Sequence, residues 1–355
     1  MTSRRDFLSA LPAGLALVGT TLMAPALPRA DEALRVMAWE GYDDPVFFDA
    51  FVEQDGAAPL FEAVDAEALG RLRAGQQVDV GQPCLYELGA WIDGGVVRPL
   101  DTGALANWGD LWPPLRALAA GPAEGEAWFA PFDWGPASVI YRKDMVDVAP
   151  ASWWVLYEER YGGRMAMQRS AEAAIGCAAL ALGIARPWAM NEDERGTVAA
   201  LIARQREVVR TFWSDPVEVE AGLESGDLVA AYGWNDIYAR LVARGVPVGF
   251  MAPQEGYLTW VCGLARIASG GADEGRIHRF VDAMLAPASG AALIARFGYG
   301  HANRRAFDLV PGEVLAALAL EEPGRLLSHG LFLDRMDAAE RASYAELFEL
   351  AISGS

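Results

Sequence analysis

Between residues 256 and 303 the chain reads GYLTWVCGLARIASGGADEGRIHRFVDAMLAPASGAALIARFGYGHAN. That succession constrains the fold more tightly than any other stretch. The apolar run around Trp260, rich in β-branched and aromatic residues, reads as a strand. Two helical patterns follow, at about 273–285 and 289–297, and a glycine-flanked turn then presents Tyr299. A strand that hands over to a pair of helices must bury a face against them, which points to a layered α/β architecture.

The rest of the chain repeats this alternation. Residues 34–39 have a strand pattern, and Pro45 opens an amphipathic helix with Val46, Phe47, Ala50 and Phe51 on one side. A strand at 59–64, a helix at 66–74, a strand at 78–80 and a helix at 85–93 come next. Residues 128–142, WFAPFDWGPASVIYR, form an apolar extended run in which Pro131, Gly135 and Pro136 favour a bend. We expect the first crossing between two lobes there. Beyond it lie a strand at 163–168, helices at 171–182 and 192–211, and a strand at 228–234, before the chain returns through 246–253 to the Trp260 strand.

The first 30 residues have the composition of an export signal. Ser3-Arg4-Arg5-Asp6-Phe7-Leu8 fits the twin-arginine pattern, small residues and leucines fill 11–23, and Ala26 or Ala30 offers a cleavage site. The apolar run is short for a membrane span, and an uncleaved anchor is the competing reading. We expect a periplasmic protein. About 325 residues would remain, past the ~250–300 at which a single core stops growing, so two lobes are expected.

Lys and Arg total 29 against 48 Asp and Glu, a net charge of −19. Nucleic acid is excluded as a partner, because phosphate contacts need basic surface. The excess acid favours solubility and, weakly at long range, cationic ligands. The three cysteines are Cys84, Cys177 and Cys262, with no C-x-x-C, and the three histidines are widely spaced. Neither a metal nor another cofactor is expected. One disulfide plus one thiol, and three free thiols, both stay open; folding in a reducing cytosol before twin-arginine export fits the second.

Aromatic residues recur where strands end. Trp39-Glu40-Gly41-Tyr42 closes the first strand, Pro83-Cys84-Leu85-Tyr86 follows the third, and Gly233-Trp234-Asn235 ends the strand at 228–234. Trp260 and Tyr299 complete the set. Strand carboxyl ends are where α/β sheets place ligands. Aromatic faces attract alkylammonium groups, by ~0.5–1 kcal/mol when exposed and ~2 or more when desolvated. With 12 Trp, 10 Tyr and 14 Phe, most aromatics must nevertheless be core.

In order and spacing these segments resemble the spermidine/putrescine-binding proteins of bacterial ABC importers, over essentially the whole chain after the signal. That family carries Trp-x-x-Tyr, Pro-Ser-x-Tyr, Gly-Trp-Ser/Asn, Trp-x-Asp and Gly-Tyr-x-x-x-Asn in this order, with a further segment matched by residues 163–176. The resemblance implies a type II periplasmic binding protein, two α/β lobes joined by a hinge with the ligand cleft between them. The lobes would comprise 31–136 with 261–305, and 137–260 with 306–355. It further implies a monomeric, non-catalytic receptor that closes on a small molecule and delivers it to an ABC permease.

The same resemblance implies carboxylates beside the aromatics, and there this chain departs. The corresponding positions read Gly41 with Glu40 beside it, Ser170 and Ala173 (or Arg169 and Glu172, one residue off), and Cys262. Arg169 is either a solvated surface residue or a cleft cation suited to a ligand carboxylate or phosphonate. We expect ligand contacts from Trp39, Glu40, Tyr42, Cys84, Tyr86, Ser170, Trp234, Asp236, Trp260, Cys262 and Tyr299, with Glu40 and Asp236 as the anions. The expected ligand is a polyamine-like small cation or a zwitterion, with spermidine itself held poorly. Two alternatives compete: a cysteine-dependent transferase on the same fold, and a ligand-free sensory or partner protein.

Overall fold

The computed structural model describes residues 33–65 and 67–354; the twin-arginine segment and its cleavage sites lie outside them. Eight strands stand side by side in the order Leu60–Ala63, Arg35–Ala38, Val80–Gly81, Tyr257–Ile267, Ala130–Arg142, Ala230–Trp234, Met165–Gln168 and Thr211–Trp213. The three at each end are parallel to one another. Parallel neighbours need crossovers, and helices such as Asp49–Asp55, Ala68–Arg73, Ala171–Leu182 and Glu192–Val208 lie in the intervening segments. The two central strands are antiparallel to each other and to their flanking neighbours.

Apolar burial divides into two cores. One gathers Leu34, Val36, Phe51, Leu88, Phe132, Trp134, Val261 and Phe280. The other gathers Ala137, Ile140, Trp153, Ile175, Trp213, Tyr232 and Leu258. Each central strand therefore passes from one core to the other, between Trp134 and Ala137 and between Leu258 and Val261. A third crossing lies between Leu327 and Leu333, where the strand Gly330–Phe332 pairs with Tyr257–Thr259. The C-terminal division differs from the expected one after residue 305. Ala306, Phe307, Leu320 and Leu327 pack into the first core, because the turn Arg304–Leu309 lies against the helix Pro287–Phe297. Only from Leu333 onward does the chain join the second core, where the helix Ala338–Ser353 packs on Ala171–Leu182 and Glu192–Val208.

The expected bend at 128–142 is also corrected. Ala130–Arg142 is one continuous strand of 13 residues. Its prolines are accommodated because Pro136 faces Thr259 and Pro131 faces Gly263, with a register shift at Cys262/Gly263 that leaves Phe132 as the extra residue of a bulge. Pro45, likewise, opens only a three-residue 3₁₀ turn, and the α-helix begins at Asp49.

Candidate functional site

Ten of the eleven expected residues line one cavity of about 390 Å³ between the cores: Trp39, Glu40, Tyr42, Cys84, Tyr86, Ser170, Trp234, Trp260, Cys262 and Tyr299. Asp133, Gln168, Glu172, Tyr232, Phe297 and Leu333 complete its wall. The volume is near the lower end for small-molecule sites, which suits a compact ligand.

Local structure explains the convergence. Trp39 leaves its strand with its backbone N–H donating to Gln82 Oε1 at 3.3 Å. Gly41, at φ +86°, turns the chain so that Tyr42 points back under it. Cys84 and Ser170 are the residues preceding the helices Leu85–Asp93 and Ala171–Leu182, and Ser170 Oγ accepts from the Ala173 N–H at 3.2 Å. Trp234 ends its strand immediately before Asn235–Ala243. Gly135 is needed where it stands, since a β-carbon there would lie 2.7 Å from the Trp260 ring. Trp260 then meets Tyr299 edge-on at 4.9 Å, Tyr299 stacks on Phe297 at 6.1 Å, and Phe297 on Tyr42 at 5.1 Å.

The acids fall into two kinds. Asp133 is buried, and its Oδ2 accepts from the Tyr42 hydroxyl at 2.5 Å. Burial pushes its carboxyl up to about 7, against the opposing pull of the Tyr42 hydrogen bond. Burial and the neighbouring Asp133 in turn hold the Tyr42 phenol protonated. Glu172, by contrast, accepts from Arg341 Nε and from the Ser170 hydroxyl, each at 3.0 Å. Asp236 is not part of the wall, contrary to expectation. It is buried in the first turn of its helix, where Arg240 donates to it at 2.7 Å. Of the alternative registers around 170, Ser170 and Glu172 reach the cavity, Ala173 is buried in the second core, and Arg169 pairs with Glu349 at the surface at 2.9 Å.

Cys84 and Cys262 are joined in a disulfide across an isolated antiparallel bridge, which decides between the two thiol arrangements. Cys177 is a buried thiol pushed up by its surroundings. Among the described residues, no three His, Cys, Asp or Glu side chains gather as a metal site.

Known proteins share this fold. Residues 63–317 match the family model for bacterial extracellular solute-binding protein. The putrescine-binding periplasmic protein PotF of Escherichia coli (strain K12) is 25% identical over 321 residues, 84% of this chain and 86% of that one. The spermidine/putrescine ABC transporter substrate-binding protein PotD of Streptococcus pneumoniae shares the fold with a TM-score of 0.75 at 18% identity, over 90% of this chain and 98% of that one. A GABA receptor structure gives a TM-score of 0.71 at 15% identity, over 90% and 97%. The periplasmic binding-protein fold expected from the order of motifs is the fold of these neighbours, and the family match across most of the chain makes this protein a member of the bacterial extracellular solute-binding proteins.

Proposed function

We propose that this protein is the monomeric periplasmic receptor of an ABC importer, exported by the twin-arginine route, and that it takes up a small organic monocation or zwitterion rather than a polyamine. The observation that carries this reading is the aromatic cavity whose walls come from both cores. The cores would act as lobes, 31–136 with 261 to about 328, and 137–260 with the remainder. A ligand touching both walls favours the closed arrangement by its differential affinity, with the three crossings as the hinge. The closed form is then the one a permease recognises.

The charge balance supports a ligand with few cations. Three carboxylates line the cavity, but Glu172 is matched by Arg341 and Glu40 stands exposed at the rim. That leaves Asp133 alone for a buried ammonium group, and each further buried ammonium would be uncompensated. The indole N–H groups of Trp39 and Trp260 have no protein acceptor and suit a ligand oxygen. Relatives are named for putrescine and spermidine and one structural neighbour for GABA, a zwitterion, so the family scaffold accommodates both kinds. The cysteine-transferase alternative loses its nucleophile in this form, because Cys84 Sγ is bonded to Cys262.

Mass spectrometry of the small molecule released from natively purified protein identifies the ligand, which should leave unchanged. Calorimetry should show spermidine binding no better than the high-micromolar range. The true ligand should bind on the order of 100-fold or more tighter, the worth of two charge-assisted contacts. A sub-micromolar constant for spermidine or putrescine overturns the proposal.

A further inference from the structure

We propose that Asp133 is the anchor for the ligand's cationic group, and that binding a cation there expels a proton from its carboxyl. This rests on the receptor reading above and adds to it the residue that selects charge. Asp133 is the only acid in a 13-residue strand of which all but one residue are buried. Its cross-strand partner is Cys262, and both line the cavity, so the carboxyl stands on the ligand side of the sheet. Oδ2 is occupied by the Tyr42 hydroxyl, whereas Oδ1 is equally buried and has no protein partner. The aromatic series Tyr42, Phe297, Tyr299 and Trp260 forms the adjoining wall, a surface that attracts an alkylammonium group.

Among the described residues, no neighbouring element supplies the missing positive charge. From the turn after Arg35–Ala38 comes Tyr42, and from the segment after Val80–Gly81 the Gln82 amide. The segment after Pro287–Phe297 contributes Tyr299 and, in register with Asp133, His301. The His301 ring is engaged by the Asn303 N–H and the Met284 carbonyl, and burial holds it down at about 3, so it stays neutral. Asp236, from the helix Asn235–Ala243, adds negative charge that Arg240 already answers.

The consequence is a proton-linked receptor. With the carboxyl at about 7 in the empty cavity, a cation meets a carboxylate above that pH and a carboxylic acid below it. The acid proton then passes to solvent as the cation enters, and the ligand keeps its own. Affinity should be flat above pH 8 and fall about tenfold per unit below 7, on the order of 100-fold between pH 8 and 5.

Calorimetry with n-butylammonium and its neutral isostere n-butanol, from pH 5 to 8.5 in buffers of different ionisation enthalpy, tests this. Wild type should prefer the ammonium and release close to one proton at pH 6 and almost none at 8.5. Asp133→Asn should bind n-butylammonium at least ~10-fold more weakly at pH 8, with no pH dependence and no proton release. Tyr42→Phe keeps the carboxyl but removes its donor, so its pH midpoint should move upward. If Asp133→Asn binds within twofold of wild type, or retains the proton release, Asp133 is not the anchor and the receptor reading stands. Equal binding of butanol and butylammonium by wild type rejects the cation site in the same way. Binding of neither probe, together with no released small molecule, rejects both readings.

Discussion

The two ends of the cavity hold chemically similar carboxylates in opposite circumstances. At one end Asp133 is enclosed by aromatic rings, one hydroxyl and the Gln82 amide. At the other, Glu172 and Glu87 share Arg341, at 3.0 and 3.9 Å, and Arg341 also lies over the Tyr86 ring. A carboxylate already paired inside the protein has spent its attraction on stability, whereas an unpaired one holds it for a ligand at a standing cost to the empty protein. Counting acids in a cleft therefore overstates its capacity for cations. What matters is how many lack an internal counter-ion.

The largest expected effect sets these ends directly against each other. The native state keeps a proton on Asp133 up to about pH 7, while the unfolded chain releases it near pH 4. More protons are bound by the folded state between those values, so the stability of the empty protein falls as pH rises from 4 to 7 and stays lower above. Asp133→Asn should remove that slope and stabilise the empty protein by roughly 3–4 kcal/mol at pH 8, with little change at pH 4. Urea unfolding at the two pH values checks it. Glu172→Gln should move the other way at pH 8, since it strips Arg341 of a partner. Destabilisation by both substitutions would erase the distinction between the two ends.

Arg341→Met converts the paired end into an unpaired one. Arg341 is more than a third exposed, so solvent already weakens the pairing, and the cost should be about 1–3 kcal/mol at pH 8. Burial already pushes the Glu87 carboxyl up and Arg341 pulls it back; without the arginine it should rise further. The penalty should then shrink towards pH 5 as protons take the place of the cation. The freed carboxylates should also improve spermidine binding, giving the cavity a second cation site. An equal penalty at pH 5 and 8 would mean that the arginine acts by packing on Tyr86 and not by charge.

Much of this contrast was hidden in the sequence, for reasons that differ by residue. Trp39, Tyr86 and Trp234 were legible because each follows or ends a strand, and strand ends converge in an α/β sheet, whereas Trp260, inside Tyr257–Ile267, and Tyr299, just before Gly300–His301, were legible from the order of the motifs. Asp133 was passed over because residues 128–142 read as a crossing segment, although a single acid in so apolar a run was itself a signal. The Cys84–Cys262 pair is separated by 178 residues and depends on a strand register that no local pattern records. Asp236 looked available, yet an arginine four residues along the same helix takes it. Around residue 170 the motif matched only to within one position. Ser170 occupies the turn before the helix, so its neighbours do not follow regular strand or helix spacing, and Glu172 reaches the cavity while Ala173 turns into the core.

The smallest effect lies at that same turn and sharpens the comparison at its paired end. Ser170 accepts from the Ala173 N–H and donates to Glu172, so it both caps the helix and fixes the carboxylate that Arg341 holds. Ser170→Ala should cost about 1 kcal/mol through the lost cap. Ser170→Asp keeps an acceptor at the cap and adds a charge favoured by the helix N-terminus, but sets it beside Glu172. In high salt, where repulsion between the two acids is screened, Ser170→Asp should be nearly as stable as wild type. In low salt it should fall towards the alanine variant, and n-butylammonium affinity should stay within twofold of wild type throughout, because the cation sits at the opposite end. Thermal unfolding and calorimetry on the two variants read both quantities. A marked gain in n-butylammonium affinity on Ser170→Asp would place the cation at the Ser170 end and collapse the distinction between a ligand carboxylate and a structural one.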